Sequence, residues 1–490
     1  MHATSGMSEA AAVDRPRREV AQLDGPRGWP LVGNTLQLER SQAHRIVEGW
    51  ARRYGPLFRF RLGRRTLVGV AGHELIGAVM RAPVDSYGRT TAFRRTIEEM
   101  NSPPGVFGAN GSEWERQRRI VMAGLDPAHI RAYFPSMLRV ARRLERRWQR
   151  AADSGAAIDL QGDLMRFTVD TIAGLAFGVD IDTLEADGGA IQQHLDKMLP
   201  SIARRLLAPL PYWRYVKLPA DRRLDTSIGV IHAAIEGFID AGRARLAAEP
   251  GRRERPHDVL EAMLVAADSP GSGVGRREVV GNVLNLLLAG EDTTAYSLAW
   301  LIWLLERHPA ALQRARDEVR GAIGDFASVT PDALAALGFL DACVREAMRL
   351  KPVAPMILRE ALRDTTLADL SIPAGTVLWL VTRHDSLSAE HFERPEAFEP
   401  ERWLGADAGA ASAARRCSIP FGAGARICPG RYLALVEIKT VMSMLLGAFE
   451  IRSVDAADGG EVRERLAFTM APVALRMRLA ARRREAAVSS

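Results

Sequence analysis

Residues 421–430 read FGAGARICPG, a run in which a single thiol, Cys428, is crowded by glycines, a proline and an arginine. A core cysteine needs only apolar neighbours. A thiolate that holds a flat cofactor needs space beside its loop, backbone N–H groups aimed at sulfur, and positive charge nearby. Gly422, Gly424 and Gly430 permit unusual dihedrals and the close approach of a bulky ligand. Arg426 supplies a fixed cation two residues before the thiol. Pro429 suits the first position of a helix, which would put Cys428 at a helix N-terminus, where unpaired N–H groups favour a thiolate. A second candidate is LLLAGEDTTA, residues 286–295, which sets two acids and two threonines midway along an apolar helical stretch. Such groups are costly there unless paired or employed; taken alone, the threonines would bond back to the preceding turn. Glu346 and Arg349 at i,i+3, and Trp114 and Arg118 at i,i+4, each share a helix face. In isolation they would be a surface ion pair of about 0.5 kcal/mol or less and a simple stacking pair.

Elements with helical periodicity must position these groups. Apolar spacing predicts helices over 137–152, 160–177, 228–247, 279–305, 310–323, 334–350 and 432–446. Strand-like patches are confined to 57–70 and to 372–381, where IPAGTVLWLV gives a turn and then a β-prone run. Residues 383–403 have little periodicity, and a long irregular segment in a compact fold is functional or tightly pinned. The expected fold class is therefore mainly α with small sheets. No linker splits the chain, so one domain is expected over 25–478, with disordered segments at 1–24 and in the basic tail 479–490.

Phe421, Gly424, Arg426, Cys428 and Gly430 match, position by position, the haem-binding loop of the cytochrome P-450 family, and the chain is identified as a member of it from about residue 25 to about residue 478. The resemblance implies a large helical haem domain with a small β-rich subdomain. It implies haem b (iron protoporphyrin IX) with Cys428 as the axial thiolate on iron, and Phe421, Gly422, Gly424 and Gly430 packed beneath the porphyrin. Ala289, Gly290, Asp292 and Thr293 resemble the distal oxygen-activation site. There Gly290 would let the helix open and admit water, Thr293 would hydrogen-bond dioxygen, and Asp292 would feed protons through water, while Glu291 faces away. Glu346 and Arg349 resemble the family's E-x-x-R. Arg402, from Phe398-x-Pro400-Glu401-Arg402-Trp403, would join them in a network pinning the irregular segment. Trp114, Arg118, Arg359 and Arg426 would hold the haem propionates. Gly25–Gly33 (GPRGWPLVG) is similar to the hinge that follows the membrane anchor of microsomal members.

What remains concerns partners and place. The chain has 490 residues, net charge +7, and only 6% aromatic residues with scattered basic pairs, which argues against nucleic acid and for an acidic protein partner. Cys343, Cys417 and Cys428 are too few and odd in number for a disulfide framework, which suits the cytoplasm. Stretch 279–305 is interrupted by Asn282, Asn285, Glu291 and Asp292, so no transmembrane anchor is expected, although residues 206–216 could give weak peripheral membrane contact. The family reading implies a monomeric monooxygenase that hydroxylates or epoxidises a small hydrophobic substrate with dioxygen. Electrons would come from NAD(P)H through a separate ferredoxin or flavodoxin and its reductase, docked on Arg118 or Arg119, Arg345, Arg415, Arg416 and Lys439. Residues 90–111, 198–216, 284–289, 353–358 and 468–470 would line the pocket, with Met356 and Met470 as adaptable contacts. Two alternatives stay open: a peroxide-using or dioxygen-independent enzyme of the same fold, which would have less need of Asp292 and Thr293, and a non-catalytic haem-binding protein.

Overall fold

The computed structural model describes residues 18–103, 105–185, 192–206, 208, 211–404 and 414–482. Its centre is the helix Arg276–Glu306, 31 residues or about 46 Å long. Apolar residues surround this helix rather than forming one stripe, so it runs through the core with Val283, Leu287, Leu298, Trp300 and Leu301 buried. The equally apolar helix Leu160–Phe177 packs against it, and the Thr168 hydroxyl donates to the Glu291 carbonyl at 2.9 Å. Pro127–Ser154, Pro219–Ala248, Val259–Asp268, Pro309–Ala322 and Arg431–Ala448 complete the helical body. The stretch expected as one helix over 334–350 is two, Pro331–Ala335 and Gly338–Leu350. The reason is capping: Thr330 starts the first, and the Glu318 carboxylate accepts from the Phe339 and Leu340 amides at 2.7 and 2.8 Å to start the second.

The small β portion gathers distant segments. Leu57–Leu62 and Arg65–Val70 form a hairpin, and the five-stranded sheet continues through Val377–Leu380 and Ile357–Ala361 to the short strand Tyr87–Gly88. The second strand-like patch is divided, since Leu370–Ile372 joins a different sheet. A buried charge knot ties the β portion to the helices. The Glu464 carboxylate takes Lys351 at 2.5 Å, Arg383 at 3.0 Å and His44 at 3.0 Å, and Arg383 also grips Glu48 at 2.8 Å.

Both terminal boundaries need correction. Residues 18–24 were expected to be disordered, yet Arg18–Glu19 pairs parallel with Leu370–Ser371, and Leu23 is buried against the sheet's apolar face. At the other end, strand Leu475–Ala481 pairs with Phe449–Ala456 and carries the ordered chain past 479. Residues 1–17 and 483–490 lie outside the described residues. Among the described residues, no helix is long and apolar enough to cross a membrane.

Candidate active site

The Cys428 loop closes on itself through the Cys428 amide, which donates to the Phe421 carbonyl at 2.9 Å. The following helix begins at Arg431, not at Pro429 as expected: Gly430 is the N-cap, because the first helical bond is Ala434 N–H to the Gly430 carbonyl at 2.9 Å. Cys428 therefore precedes the cap, and the amide aimed at its sulfur belongs to Gly430. Burial raises the thiol's pKa, while the Gly430 amide, Arg118 and Arg431 pull the other way. Gly424 is irreplaceable for a steric reason. It has φ +68°, and a Cβ there would lie 2.0 Å from the Met80 carbonyl oxygen at the end of helix His73–Arg81.

Four arginines converge behind this loop. Arg118 donates to the Ile427 carbonyl at 2.8 Å, which anchors it to the loop itself. Arg426, not Arg118, is the cation stacked on Trp114, 4.7 Å from the ring centre. Arg426 also donates to the Ala109 carbonyl and to Asn110 Oδ1, at 3.0 and 3.2 Å, while its Nε is buried without a partner. Arg359 is buried and donates to the Leu358 carbonyl at 3.2 Å. Sequence reasoning missed the fourth, Arg89, which donates to the Phe107 carbonyl at 2.7 Å and lies 3.8 Å over the Phe107 ring. Strand pairing places it: Gly88 sits opposite Glu360, which brings Arg89 beside Arg359 across a sequence gap that no local spacing reveals.

Among the described residues, no carboxylate pairs with any of these four guanidiniums. Burial and then Arg426 bring Arg359 down to about 10; burial and then Arg118 bring Arg426 to about 10. Burial, with Arg359 and Arg426 beside it, holds Arg89 well below its usual value. Like charges packed without an internal counterion, one with an orphaned buried Nε, make an anion site. Beside a thiol facing an amide and two cations, they fit a haem: thiolate for iron, arginines for two propionates.

On the long helix, Ala289 is exposed and Gly290 and Thr293 are partly accessible, although Leu286–Leu288 and Thr294–Ala295 on either side are buried. This turn therefore borders an internal space. The helix runs unbroken through Gly290, contrary to the opening expected there. Its missing Cβ instead lets Ile172 approach, since a methyl group would meet it at 3.2 Å. The Thr293 hydroxyl donates back to the Ala289 carbonyl at 2.7 Å, so in this state it satisfies its own turn. Asp292 accepts from the Thr469 hydroxyl at 3.3 Å and from Tyr296, and burial pushes its carboxyl up to about 6. Glu291 is buried and bonds to Asp196, and burial first, then the neighbouring Asp196 and Asp292 carboxylates, raise its carboxyl well above the usual range. Thr294 bonds to Glu437, whose complete burial lifts it to about 8, joining the long helix to the helix after Cys428. Asp196, Glu437 and Thr469 carried no sequence signal, because each meets the long helix only through tertiary packing; Tyr296 lies on that helix, and its i,i+4 spacing from Asp292 was the signal that could have found it.

The structure brings Glu346, Arg349 and Arg402 together. Arg349 forks onto Glu346 at 2.8 and 2.9 Å and donates to the carbonyls of Ser386, Pro395 and Ala397. Arg402 and the Trp403 indole each reach Glu346 at 2.9 Å. This knot holds the irregular segment by its backbone carbonyls, which is how it stays ordered without periodic structure. On the accessible side of the long helix, Phe107 lies 5.4 Å from Phe93 and 6.1 Å from Phe468, an aromatic wall. Met470 is not a flexible liner as expected; it is fully buried with its sulfur 3.5 Å from Arg383. Lys439, expected on a basic docking face, is buried and paired with Asp341 at 3.0 Å.

Comparison with known proteins agrees with this geometry. The family profile described as cytochrome P-450 matches residues 23–477. Cytochrome P-450 714D1 of Oryza sativa subsp. japonica is 30% identical over 82% of this chain and 72% of its own length. The mitochondrial 1,25-dihydroxyvitamin D(3) 24-hydroxylase of Rattus norvegicus is 26% identical over 90% of this chain and 86% of its own. A self-sufficient cytochrome P-450 monooxygenase of Penicillium camemberti is 28% identical over 95% of this chain, which spans 44% of that longer protein. The chain belongs to the cytochrome P-450 family and is a haem-thiolate monooxygenase.

Proposed function

We propose that this monooxygenase hydroxylates or epoxidises a small apolar substrate, using haem b and electrons from NAD(P)H carried by a separate ferredoxin or flavodoxin and its reductase. The observation that carries the reading is the acid-free cluster of Arg89, Arg118, Arg359 and Arg426 behind the Cys428 loop. Haem held there supplies thiolate-ligated iron, which activates dioxygen so that one atom enters the substrate and the other leaves as water. Cys428 offers the sulfur, steadied by the Gly430 amide. The four arginines orient and neutralise the propionates, and Trp114 braces Arg426.

On the opposite side, Asp292 holds or releases a proton near neutral pH, because burial brings its carboxyl to about 6. Thr293 can exchange its bond to Ala289 for one to a water or to dioxygen, passing that proton on. The retained Asp292–Thr293 pair favours this route over a peroxide-using one. The wall of Phe93, Phe107 and Phe468 favours an apolar substrate and excludes water beside the reacting carbon. Hydroxylase names among the relatives support the same chemistry. Exposed Arg119 and Arg415 suit an acidic carrier protein. Three free cysteines suit a monomer working in the cytoplasm, and exposed Tyr215, Val216 and Leu218 suit weak contact with a membrane surface.

The test has two parts. The reduced protein treated with carbon monoxide should show the long-wavelength absorption of sulfur ligation, and Cys428→Ser should abolish it. Thr293→Ala should then keep consuming NAD(P)H while losing most product. A normal spectrum in Cys428→Ser, or full coupling in Thr293→Ala, would overturn the assignment.

A further inference from the structure

Away from the Cys428 sulfur, four side chains of three ligand types meet at one point. His73, Asp385, His391 and Cys417 each offer a ligand atom, and these atoms all lie within 4.8 Å of one another. His73 Nδ1 is 2.8 Å, and His391 Nε2 3.3 Å, from the same oxygen of Asp385. The two imidazole rings meet edge to face with centres 4.9 Å apart. A tetrahedral zinc ion holds N or O ligands at about 2.0–2.1 Å and S at about 2.3 Å, which sets neighbouring ligand atoms about 3.3–3.7 Å apart. The cluster already has nearly that size.

We propose that His73, Asp385, His391 and Cys417 form a structural site for a zinc-class divalent cation that braces the haem-binding loop. A cluster built only to satisfy the Asp385 carboxylate would use the histidines but would have no need of a thiol at the same point. Outer contacts hold the ligands in place. His384 Nδ1 lies 2.8 Å from the other Asp385 oxygen, the Ser386 hydroxyl donates to the Cys417 carbonyl at 3.0 Å, and Arg349 fixes the Ser386 carbonyl at 2.6 Å. On binding, Cys417 releases its thiol proton to solvent. The thiolate and the Asp385 carboxylate then neutralise the dication, and both histidines coordinate as neutral imidazoles. Asp385 and Cys417 are buried while the histidines are partly accessible, so the ion can enter from the histidine side.

The placement explains what the ion would do. His73 opens helix His73–Arg81, whose far end presses Met80 against Gly424. Cys417 lies just before the 421–430 loop. One ion would thus tie the foot of the strut to the start of the loop that the strut supports.

The experiment uses haem-loaded protein stripped of loose metal by dialysis against a chelator and then given zinc alone. One zinc per chain should remain after desalting, Tm should rise and fall back on renewed chelation, and zinc-edge X-ray absorption should show one sulfur and three N/O neighbours. Cys417→Ser, with an unchanged haem spectrum as proof of folding, should lose the sulfur neighbour and bind zinc at least tenfold more weakly; His391→Gln should weaken it likewise. No retained zinc, a coordination shell without sulfur, or undiminished affinity in both variants would overturn the proposal and leave Asp385 as a hydrogen-bond hub.

Discussion

Replacing Asp292 by asparagine should make the folded protein more stable and the enzyme worse. Asp292 sits half-buried on the long helix, and its carboxyl is raised from 3.8 to about 6, chiefly by burial. A folded-state value above the unfolded one means that the fold disfavours the ionised form. The penalty is full above pH 6 and vanishes below about pH 4, where both states are protonated. At about 1.4 kcal/mol per tenfold, the shift corresponds to about 3 kcal/mol, and partial exposure reduces this to about 1–3 kcal/mol. Asparagine keeps an acceptor for Thr469 and Tyr296 but carries no charge, so it escapes the penalty. Unfolding entropy of about 2 cal/mol/K per residue makes 1 kcal/mol worth about 1 °C in a chain this long. Asp292→Asn should therefore raise the Tm of the haem-loaded protein by about 1–3 °C at pH 8 and by about half that at pH 5. Product formed per NAD(P)H should fall at least tenfold, as expected for loss of a proton donor. Thermal unfolding followed by circular dichroism at the two pH values, beside coupled turnover, measures both. A lower Tm at pH 8, or a gain that does not change with pH, would refute the reasoning.

Three other outcomes follow from the geometry. Gly424→Ala puts a Cβ 2.0 Å from the Met80 carbonyl oxygen at positive φ, strain on the order of 1–3 kcal/mol before any clash, so haem content per purified chain should drop by more than half; wild-type content would count against it. Arg359→Gln removes one of the crowded cations, so haem should pass to apomyoglobin about tenfold faster while the haem-free protein gains stability, and Arg359→Lys should retain haem better; equal loss from both variants would show that charge is not what holds it. Glu346→Ala leaves Arg349 buried without a carboxylate, with Arg402 keeping only Glu399, and should cost about 3–5 kcal/mol, read as a Tm drop of several degrees; a drop under about 1 °C would show the knot to be dispensable.

Local chemistry was legible where one short stretch carries it. The FGAGARICPG loop, the AGEDTT turn and the apolar periodicity of 160–177 and 279–305 depend on neighbours along the chain. Period, capping and glycine content therefore announced the thiol, the acid–alcohol pair and a mainly helical body from residue order alone. Local spacing misjudged finer points for the same reason: Pro429 looked like a helix start, but hydrogen bonding makes Gly430 the cap and Arg431 the first helical residue. Gly290 looked like a breach in the helix, yet it serves the approach of Ile172 from another helix.

Tertiary structure alone decided which distant charges share a site. Arg89 reaches Arg359 only because Tyr87–Gly88 pairs with the strand that carries it, and Glu291 faces Asp196 only because the turn after helix Gln192–Leu195 folds back onto the long helix. His73, Asp385, His391 and Cys417 come from three separate segments and have no spacing in common. Side-chain charge and ligand type are fixed by sequence, but desolvation and mutual distance, which set how those groups behave, exist only once the chain has packed.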